Sequence, residues 1–174
     1  MDSIWKVFRN RRTVREFKST PVPKDDILKI LNAARYAPSA GNVQPWKFVV
    51  LTKRKRLDSL CETLQKSWKK RVEDNSSISE DKREAIIKNG QDTLRDVFKT
   101  PVYLLVFVDP SVYPEYALYD GCLAAENIML AARALGYGTG FYTTFFPAEI
   151  IKKFVNAPEQ FKFLCAIPVG EPTA

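Results

Sequence analysis

The chain has 174 residues, enough for one domain with a substantial hydrophobic core. Apolar residues make up 45% and aromatic residues 12%, a composition that argues against intrinsic disorder. The longest apolar run is too short to span a bilayer, and the first residues lack the features of a secretory signal. We therefore expect a single domain over residues 1–174 that is soluble, cytoplasmic and not associated with a membrane.

The net charge of +7 is unevenly distributed. Residues 1–71 hold 18 basic against 6 acidic residues, a balance of +12, whereas residues 72–174 hold 9 against 14, a balance of −5. A basic half can attract nucleic acid, a membrane surface or an anionic cofactor. No nucleic-acid-binding motif accompanies this charge, so we expect no nucleic-acid partner.

Histidine is absent, and the three cysteines, Cys61, Cys122 and Cys165, are widely spaced. The absence of histidine excludes Ser-His and Cys-His nucleophilic catalysis and histidine-ligated metals. An odd number of cysteines without a CxxC pair predicts reduced, mostly buried thiols. An enzyme of this composition most simply takes its chemistry from a cofactor.

In chain order, the first predicted element is a helix that starts after Pro23 and ends before Pro38. Its apolar residues recur at helical spacing and form one buried stripe: Ile27, Ile30, Leu31 and Ala34. The next elements are a strand at Trp46–Leu51, helices at residues 55–72 and 80–98, and a strand at Val102–Val108.

A long helix is predicted from about Glu115 to Leu135, where Gly136 suits the end of a helix. A glycine-rich passage, a short helix at Pro147–Val155 and a strand at Phe161–Val169 complete the chain. Strands alternate with helices and there is no internal repeat. We predict an α+β or α/β-like fold with helices wrapped round one small sheet.

The segment Arg11-Arg12-Thr13-Val14-Arg15 places three guanidinium groups and a hydroxyl within five positions. Guanidinium groups are permanently charged, bidentate donors that suit a phosphate. A solvated basic turn is the alternative interpretation of this segment taken alone.

A second polar segment, Pro38-Ser39-Ala40-Gly41-Asn42, stands where the first helix hands over to a strand. Ser39 and Asn42 can form hydrogen bonds, while the small residues between them let a flat ring approach the backbone. An ordinary turn at a helix C-terminus explains the same residues. Beyond this segment, Gln44 is interpreted as a local polar brace and Trp46 as a core residue.

Four stretches of the sequence carry a resemblance: RRTVREF, APSAGNVQPWKFVV, YDGCLAAENIMLAARALGYGTGFYTTF and the closing AIPVGEP. In this order and spacing they resemble the nitroreductase family of FMN-dependent oxidoreductases over nearly the whole chain. The resemblance implies a mixed central sheet flanked by helices and an intimate homodimer with two flavin sites at the subunit interface. Alanines on the long helix suit such close packing, although an ordinary core helix explains them equally well: Ala124, Ala125, Ala131 and Ala132.

The resemblance also assigns roles. It implies that Arg11, Thr13 and Arg15 hold the FMN phosphate, with Arg12 nearby. It implies that Pro38, Ser39, Ala40 and Asn42 contact the isoalloxazine ring or the ribityl chain, partly from the partner subunit. It also implies that backbone N–H groups of the segment after the GYGTG stretch lie near the flavin ring, at Phe141, Tyr142, Thr143 and Thr144. Such amides favour the negative charge of a reduced flavin.

The chain departs from the family pattern at two places. Many relatives have glycine where Thr144 stands, and many complete the phosphate clamp with a Lys/Arg pair near the C-terminus, where this sequence has Glu171-Pro172-Thr173-Ala174. Either the three N-terminal arginines suffice, another cation substitutes, or FMN binding is weakened; we favour the first.

These features predict that NADH or NADPH reduces bound FMN and that a small acceptor, such as a nitroaromatic compound or a quinone, then reoxidises it. FMN carries the reaction, so no catalytic residue and no metal are predicted. Dehalogenation, dehydrogenation or flavin fragmentation on the same scaffold remains open, as does a non-catalytic flavin-binding or basic interaction module. The choice of substrate is expected to lie around residues 60–95 and 111–119.

Overall fold

The computed structural model describes residues 3–173. The helices in this range are α1 (Ile4–Asn10), α2 (Lys24–Arg35), α3 (Arg54–Glu73), α4 (Glu80–Val97), α5 (Ala117–Ala134) and α6 (Ala148–Val155). The strands are β1 (Trp46–Leu51), β2 (Val102–Val108), β3 (Gly138–Thr139) and β4 (Lys162–Gly170). The predicted elements are therefore present within about two residues of their expected bounds, and α1 is an additional helix that we did not predict.

The strands form one sheet in the order β1-β2-β4-β3, in which neighbouring strands pair antiparallel. A single parallel bridge between Thr13 and Thr139 extends this sheet beyond β3. The predicted class, helices flanking one small central sheet, is confirmed, and its mixed character rests on this one parallel bridge.

Strand β2 lies at the centre of the molecule, because all seven of its residues are buried. Alternate side chains point to opposite faces of a strand. Val102, Leu104 and Val106 pack with α2 and α5, whereas Tyr103, Leu105 and Phe107 pack with α3, α4 and α6. The sheet is therefore the middle layer between two helical layers. Burial of each such side chain contributes about 1.5–3 kcal/mol.

Helices α2 and α5 cover one face of the sheet. Besides apolar packing, a hydrogen bond connects α2 to the turn that follows α5. The apolar stripe of α2 is buried at Ile27, Ile30 and Ala34. Helix α5 ends in a Schellman motif, in which Gly136 has φ +93° and the Tyr137 amide donates to the carbonyl of Ala132 at 2.9 Å. This turn aims the Tyr137 hydroxyl at the Asp26 carboxylate of α2, at 2.8 Å.

Three of the four alanines that suit close helix packing lie inside the chain's own core. Ala124, Ala125 and Ala132 are fully buried against α2 and the sheet, whereas Ala131 is only half-buried. The ordinary core explanation therefore accounts for the first three, and Ala131 packs at the margin of the same core.

The two ends of the described chain lie side by side. Phe17 forms a bridge with Pro172, the Lys18 amide donates to the Glu171 carbonyl at 2.9 Å, and the Thr173 amide donates to Glu16 at 3.3 Å. Among residues 3–173, none of the helices has the length and apolar character that a bilayer crossing requires.

Candidate cofactor site

The Arg11–Arg15 segment is an extended stretch fastened to the edge of the sheet. Helix α1 precedes it; the Ser3 hydroxyl caps α1 at its N-terminus, and Arg11 ends it with an extended backbone (φ −62°, ψ 127°). Beyond the bridge between Thr13 and Thr139, the Val14 amide donates to the Thr139 carbonyl at 2.8 Å. Because side chains alternate along an extended chain, Thr13 and Arg15 project from the side opposite Val14, and both are exposed.

Tyr142 belongs to residues 141–144, which are predicted to lie near the flavin ring, and it contacts the Arg11–Arg15 segment. Its hydroxyl donates to the Val14 carbonyl at 3.0 Å, and its main chain pairs with Ala166 of β4. Burial raises the pKa of Tyr142, and the positive charge of Arg15 partly opposes this shift. Both main-chain groups of Val14 are therefore bonded, and the structure brings Arg11–Arg15 and Tyr142 into contact.

Two glycines allow this close approach. A Cβ at Gly138 would lie 2.6 Å from a methyl group of Val14, and a Cβ at Gly140 would lie 2.7 Å from the ring of Tyr142. Both distances are shorter than any normal packing contact. Any larger residue at either position must displace Val14 or Tyr142.

Two of the three basic side chains of this segment, those of Arg11 and Arg15, are available for an anion. None of the ion pairs within residues 3–173 involves Arg11, Arg12 or Arg15. Arg12 is already engaged, since it donates to the carbonyls of Arg9 and Arg11 at the end of α1. Arg11, Arg12 and Arg133 line a cavity of about 210 Å³ beside Val14, whereas Thr13 and Arg15 project from the opposite side of the segment. The guanidinium groups of Arg11 and Arg15, which have no acidic partner in the described range, suit a phosphate group.

The amides of residues 142–144 are not equivalent. The Tyr142 amide donates to Ala166 at 3.0 Å and is therefore already used. Thr143 and Thr144 are exposed, and their amides have no acceptor within the described residues. Arg71 of α3 donates to the carbonyl of Thr144 at 2.9 Å, a contact that the sequence did not indicate.

The loop from Pro38 to Asn42 has a well-defined geometry in which Gly41 and Asn42 both have φ +56°. The Ser39 hydroxyl accepts a hydrogen bond from the Gln44 amide at 2.9 Å, and the Gln44 side chain donates to that of Asn42 at 3.0 Å. Gln44 is thus the local brace that we predicted, and Trp46 is buried, as expected for a core residue.

Asp120 is a part of this region that the sequence analysis missed. Its buried carboxylate accepts from the Ala40 amide at 3.2 and 3.3 Å. The available signal was an acidic residue in the first turn of an otherwise largely apolar helix.

The predicted site has two halves: the Pro38–Asn42 loop, and the Arg11–Arg15 segment with residues 142–144. One chain does not bring these two halves together. Trp46, which follows the Pro38–Asn42 loop, pairs with Val108 at one end of the sheet, whereas Thr139 pairs with Val169 towards the other end. Strands β1 and β3 also occupy opposite edges. From strand spacing and rise per residue, Trp46 and Thr139 are about 25 Å apart.

Known proteins resemble this chain over nearly its whole length. A model of the Nitroreductase family matches residues 8–171. A protein of Archaeoglobus fulgidus, whose name assigns it only provisionally as an NADH dehydrogenase/NAD(P)H nitroreductase, is 30% identical and aligns over 99% of this chain and 87% of its own length. The 5,6-dimethylbenzimidazole synthase of Rhodospirillum rubrum is 26% identical over 98% of this chain and 82% of its own length.

A solved structure agrees with the fold. Oxidised iodotyrosine deiodinase bound to FMN and 3-iodo-L-tyrosine superimposes with a TM-score of 0.79 at 28% identity, covering 98% of this chain and 90% of its own. The family match, the shared fold and the predicted motifs agree. The chain therefore belongs to the nitroreductase family.

Proposed function

We propose that this single domain, residues 1–174, is an FMN-dependent oxidoreductase that works as a homodimer. NADH or NADPH is the electron donor, and a nitroaromatic compound, a quinone or a similar small molecule is the acceptor. When bound, FMN supplies the redox chemistry, and the protein supplies position, charge and exclusion of water.

The observation that carries this proposal is the immobilised Arg11–Arg15 segment. Val14 is bonded at both its amide and its carbonyl and packs on Gly138. Thr13 and Arg15 are thereby held pointing outward, and no acidic partner within residues 3–173 neutralises Arg11 or Arg15. A preorganised pair of guanidinium groups with a hydroxyl between them suits the phosphate of FMN.

The amides of Thr143 and Thr144 are the proposed contacts to the flavin ring. They are exposed and have no acceptor in the described chain, so they can stabilise negative charge on a reduced ring. Tyr142 has a different role, because its raised pKa and its bond to Val14 keep its hydroxyl neutral and occupied. With no histidine in the chain, protons for the acceptor come from solvent or substrate.

Dimerisation is supported by an exposed apolar surface on α1 and α5, which we call the α1/α5 surface. Trp5, Phe8, Tyr119 and Leu123 are all at least 45% exposed. Beside them lies an apolar cavity of about 510 Å³, lined in part by Ala131. Exposed apolar patches of this kind mark interaction surfaces. Within one chain, Trp46 and Thr139 are about 25 Å apart. In a dimer, the Pro38–Asn42 loop of the second copy can complete the site of the first copy.

The experiment that tests the proposal starts from the purified protein incubated with excess FMN. We expect retained flavin absorbance, bleaching on anaerobic addition of NADH or NADPH, and recovery when a nitroaromatic compound or quinone is added. Steady-state rates should give parallel double-reciprocal lines, as expected when donor and acceptor bind in turn. A protein that retains no flavin contradicts the proposal.

Other family reactions are separate outcomes of the same experiment. The similarity to a deiodinase and to a 5,6-dimethylbenzimidazole synthase makes dehalogenation and flavin fragmentation the second candidates. Turnover of an iodinated tyrosine identifies the first reaction. Irreversible loss of the flavin with formation of 5,6-dimethylbenzimidazole, when reduced FMN is exposed to oxygen, identifies the second, because simple reoxidation returns intact FMN. Flavin binding without any turnover identifies a non-catalytic binding module.

A further inference from the structure

Asp120 is a buried acid in the first turn of α5, with a relative exposure of 6%. Burial of a carboxylate is costly unless donors satisfy it. No ion pair within residues 3–173 includes Asp120, and both of its carboxylate oxygens accept from the amide of Ala40. Its position in the first turn also places its charge at the favourable end of the helix dipole.

Within residues 3–173, two long-range contacts hold the loop that Asp120 contacts: the hydrogen bond to Asp120, and the ring of Tyr113, which packs against Gly41. Gly41, Asn42 and Gln44 all have positive φ between 53° and 56°, a conformation that costs free energy for the two residues with side chains. The other hydrogen bonds of residues 38–44 in the described chain are local, between residues at most five positions apart. The bond from Ala40 to Asp120 spans 80 positions and is the one that ties this loop to another element.

We infer that Asp120 is a positioning residue for the flavin site: through the Ala40 amide it fixes where the Pro38–Asn42 loop stands on α5. This inference rests on the proposed function, in which that loop contacts the flavin ring or the ribityl chain. The same turn of α5 carries Tyr119, which is 67% exposed on the α1/α5 surface. Asp120 therefore fixes the position of the Pro38–Asn42 loop relative to the α1/α5 surface. In the proposed dimer, the loop reaches the partner's flavin site across this surface.

The first test needs no cofactor. Hydrogen–deuterium exchange of residues 38–44 is compared in the cofactor-free wild type, Asp120→Ala and Asp120→Asn. We expect these residues to exchange at least about tenfold faster in Asp120→Ala than in wild type, because the Ala40 amide loses its acceptor. Asp120→Asn keeps an oxygen acceptor in the same place, so its exchange should stay within about threefold of wild type. Unchanged exchange in Asp120→Ala overturns the inference.

Thr100→Val is the matched control for general loss of stability. Thr100 is also fully buried, and its hydroxyl donates to Val169 at 3.0 Å at the opposite end of the sheet. We expect this variant to lose stability while the exchange of residues 38–44 stays as in wild type. If Thr100→Val accelerates exchange of the loop as much as Asp120→Ala does, the effect is global and the inference fails.

The second test measures affinity for FMN and for riboflavin by fluorescence quenching. Because the loop is assigned to the ring and the ribityl chain, Asp120→Ala should weaken both flavins by about tenfold or more, and Asp120→Asn should restore most of that affinity. Equal affinity of Asp120→Ala and wild type overturns the positioning role.

A variant on the donor side keeps the inference testable if Asp120→Ala does not fold. Ala40→Pro removes the amide hydrogen, and Ser39 already has the extended backbone (φ −145°, ψ 153°) that a following proline requires. We expect Ala40→Pro to accelerate the exchange of residues 41–44 and to lower the affinity for both flavins, because the loop loses its bond to Asp120. Unchanged exchange of residues 41–44 in Ala40→Pro contradicts the inference. If wild type binds neither flavin, the proposed function fails, while the exchange test still decides whether Asp120 holds the loop.

Discussion

At the scale of single residues, Val14 is an apolar residue that determines where its polar neighbours point. Its amide and carbonyl are both bonded, and its side chain fills the space left by Gly138. A segment fixed in this way loses little further conformational freedom when it binds a ligand. The charged groups on either side are therefore prepared for an anion before the anion arrives.

Replacing Arg11 and Arg15 together by alanine tests this arrangement. At about 1.5 kcal/mol for each charge-assisted hydrogen bond, the affinity for FMN should fall by about 100-fold or more. Riboflavin, which has no phosphate, should bind as it does to wild type. The control is Lys55→Ala with Lys66→Ala, which removes the same charge from exposed positions on α3. Equal losses for FMN and riboflavin would contradict the assignment.

The Tyr137–Asp26 pair predicts a pH dependence of stability. Hydrogen bonds from Lys29 and then Tyr137 lower the pKa of Asp26, so the stabilisation is present above about pH 4 and lost as the pH falls. Burial and the bond to Asp26 raise the pKa of Tyr137 to about 12, so the stabilisation persists until the pH rises above about 10.

Tyr137→Phe should accordingly lower the Tm by about 2–4 °C at pH 7. The difference from wild type should shrink as the pH falls below about 4, because protonation of Asp26 removes the charged acceptor. Tyr36→Phe is the control, because Tyr36 is 80% exposed and its hydroxyl forms no hydrogen bond within residues 3–173. A difference in Tm that does not change as the pH falls from 7 to below about 4 would count against the charged pair.

At the scale of elements, the contact between α3 and α4 depends on a helical glycine. The indole nitrogen of Trp68 donates to the Ile86 carbonyl at 3.2 Å, and its ring packs against Phe145 at 4.9 Å. A Cβ at Gly90 would overlap the indole of Trp68. This glycine therefore allows the two helices to pack.

Gly90→Ala should destabilise the protein by about 1–3 kcal/mol through overpacking, measured by urea unfolding. In an exposed helix the same change would instead be favourable, by about 0.5–1 kcal/mol. Asn89→Ala, at the exposed neighbouring position, should shift stability by less than about 0.5 kcal/mol. A more stable Gly90→Ala variant would show that α3 and α4 do not pack in this way.

The strands and the long helices could be predicted because the spacing of their apolar residues shows which side chains are buried. The uninterrupted apolar run of β2 and the spacing of Ile27, Ile30 and Ala34 each indicate one type of element. Helix α1 could not be predicted in this way, since Val7 is its one buried residue and its other apolar residues remain exposed. A helix that buries one side chain within its own chain leaves little signal in a pattern of internal burial.

The candidate site was predictable in its composition but not in its connections. The side chains of Arg11, Thr13 and Arg15 indicate a phosphate by their chemistry alone. The contacts that position them are long-range: Tyr142 reaches Val14, and Asp120 reaches Ala40 over 80 positions. Such contacts follow from the pairing of the strands, which the sequence pattern did not specify.

At the scale of the whole molecule, the separation of the two halves of the site predicts a shared site that can be tested by mixing subunits. One chain carries Arg11→Ala with Arg15→Ala, and the other carries Asp120→Ala. In a mixed dimer one site receives both defects and the other receives none, so about half of the wild-type FMN content should return. Each variant alone should bind FMN poorly.

The control mixes a chain that carries all three substitutions with wild type. If the sites are shared between subunits, each site of this dimer has one defect and FMN content stays low. If each chain builds its own site, this dimer keeps half of the FMN and the first mixture keeps little. Light scattering should give about twice 19.9 kDa for the wild type. A flavin-replete monomer would contradict both proposals.

The pairing of the chain's two ends has a consequence for biosynthesis. Arg11–Arg15 leave the ribosome before the residues that position them. Thr139 and Tyr142 hold Val14, and Pro172 bridges to Phe17. All three of these residues are synthesised much later. A nascent chain therefore contains the basic residues long before it can order them. A cofactor whose binding depends on this geometry can be acquired only after residues 139–172 have left the ribosome, so loading follows the synthesis of this domain and does not accompany it.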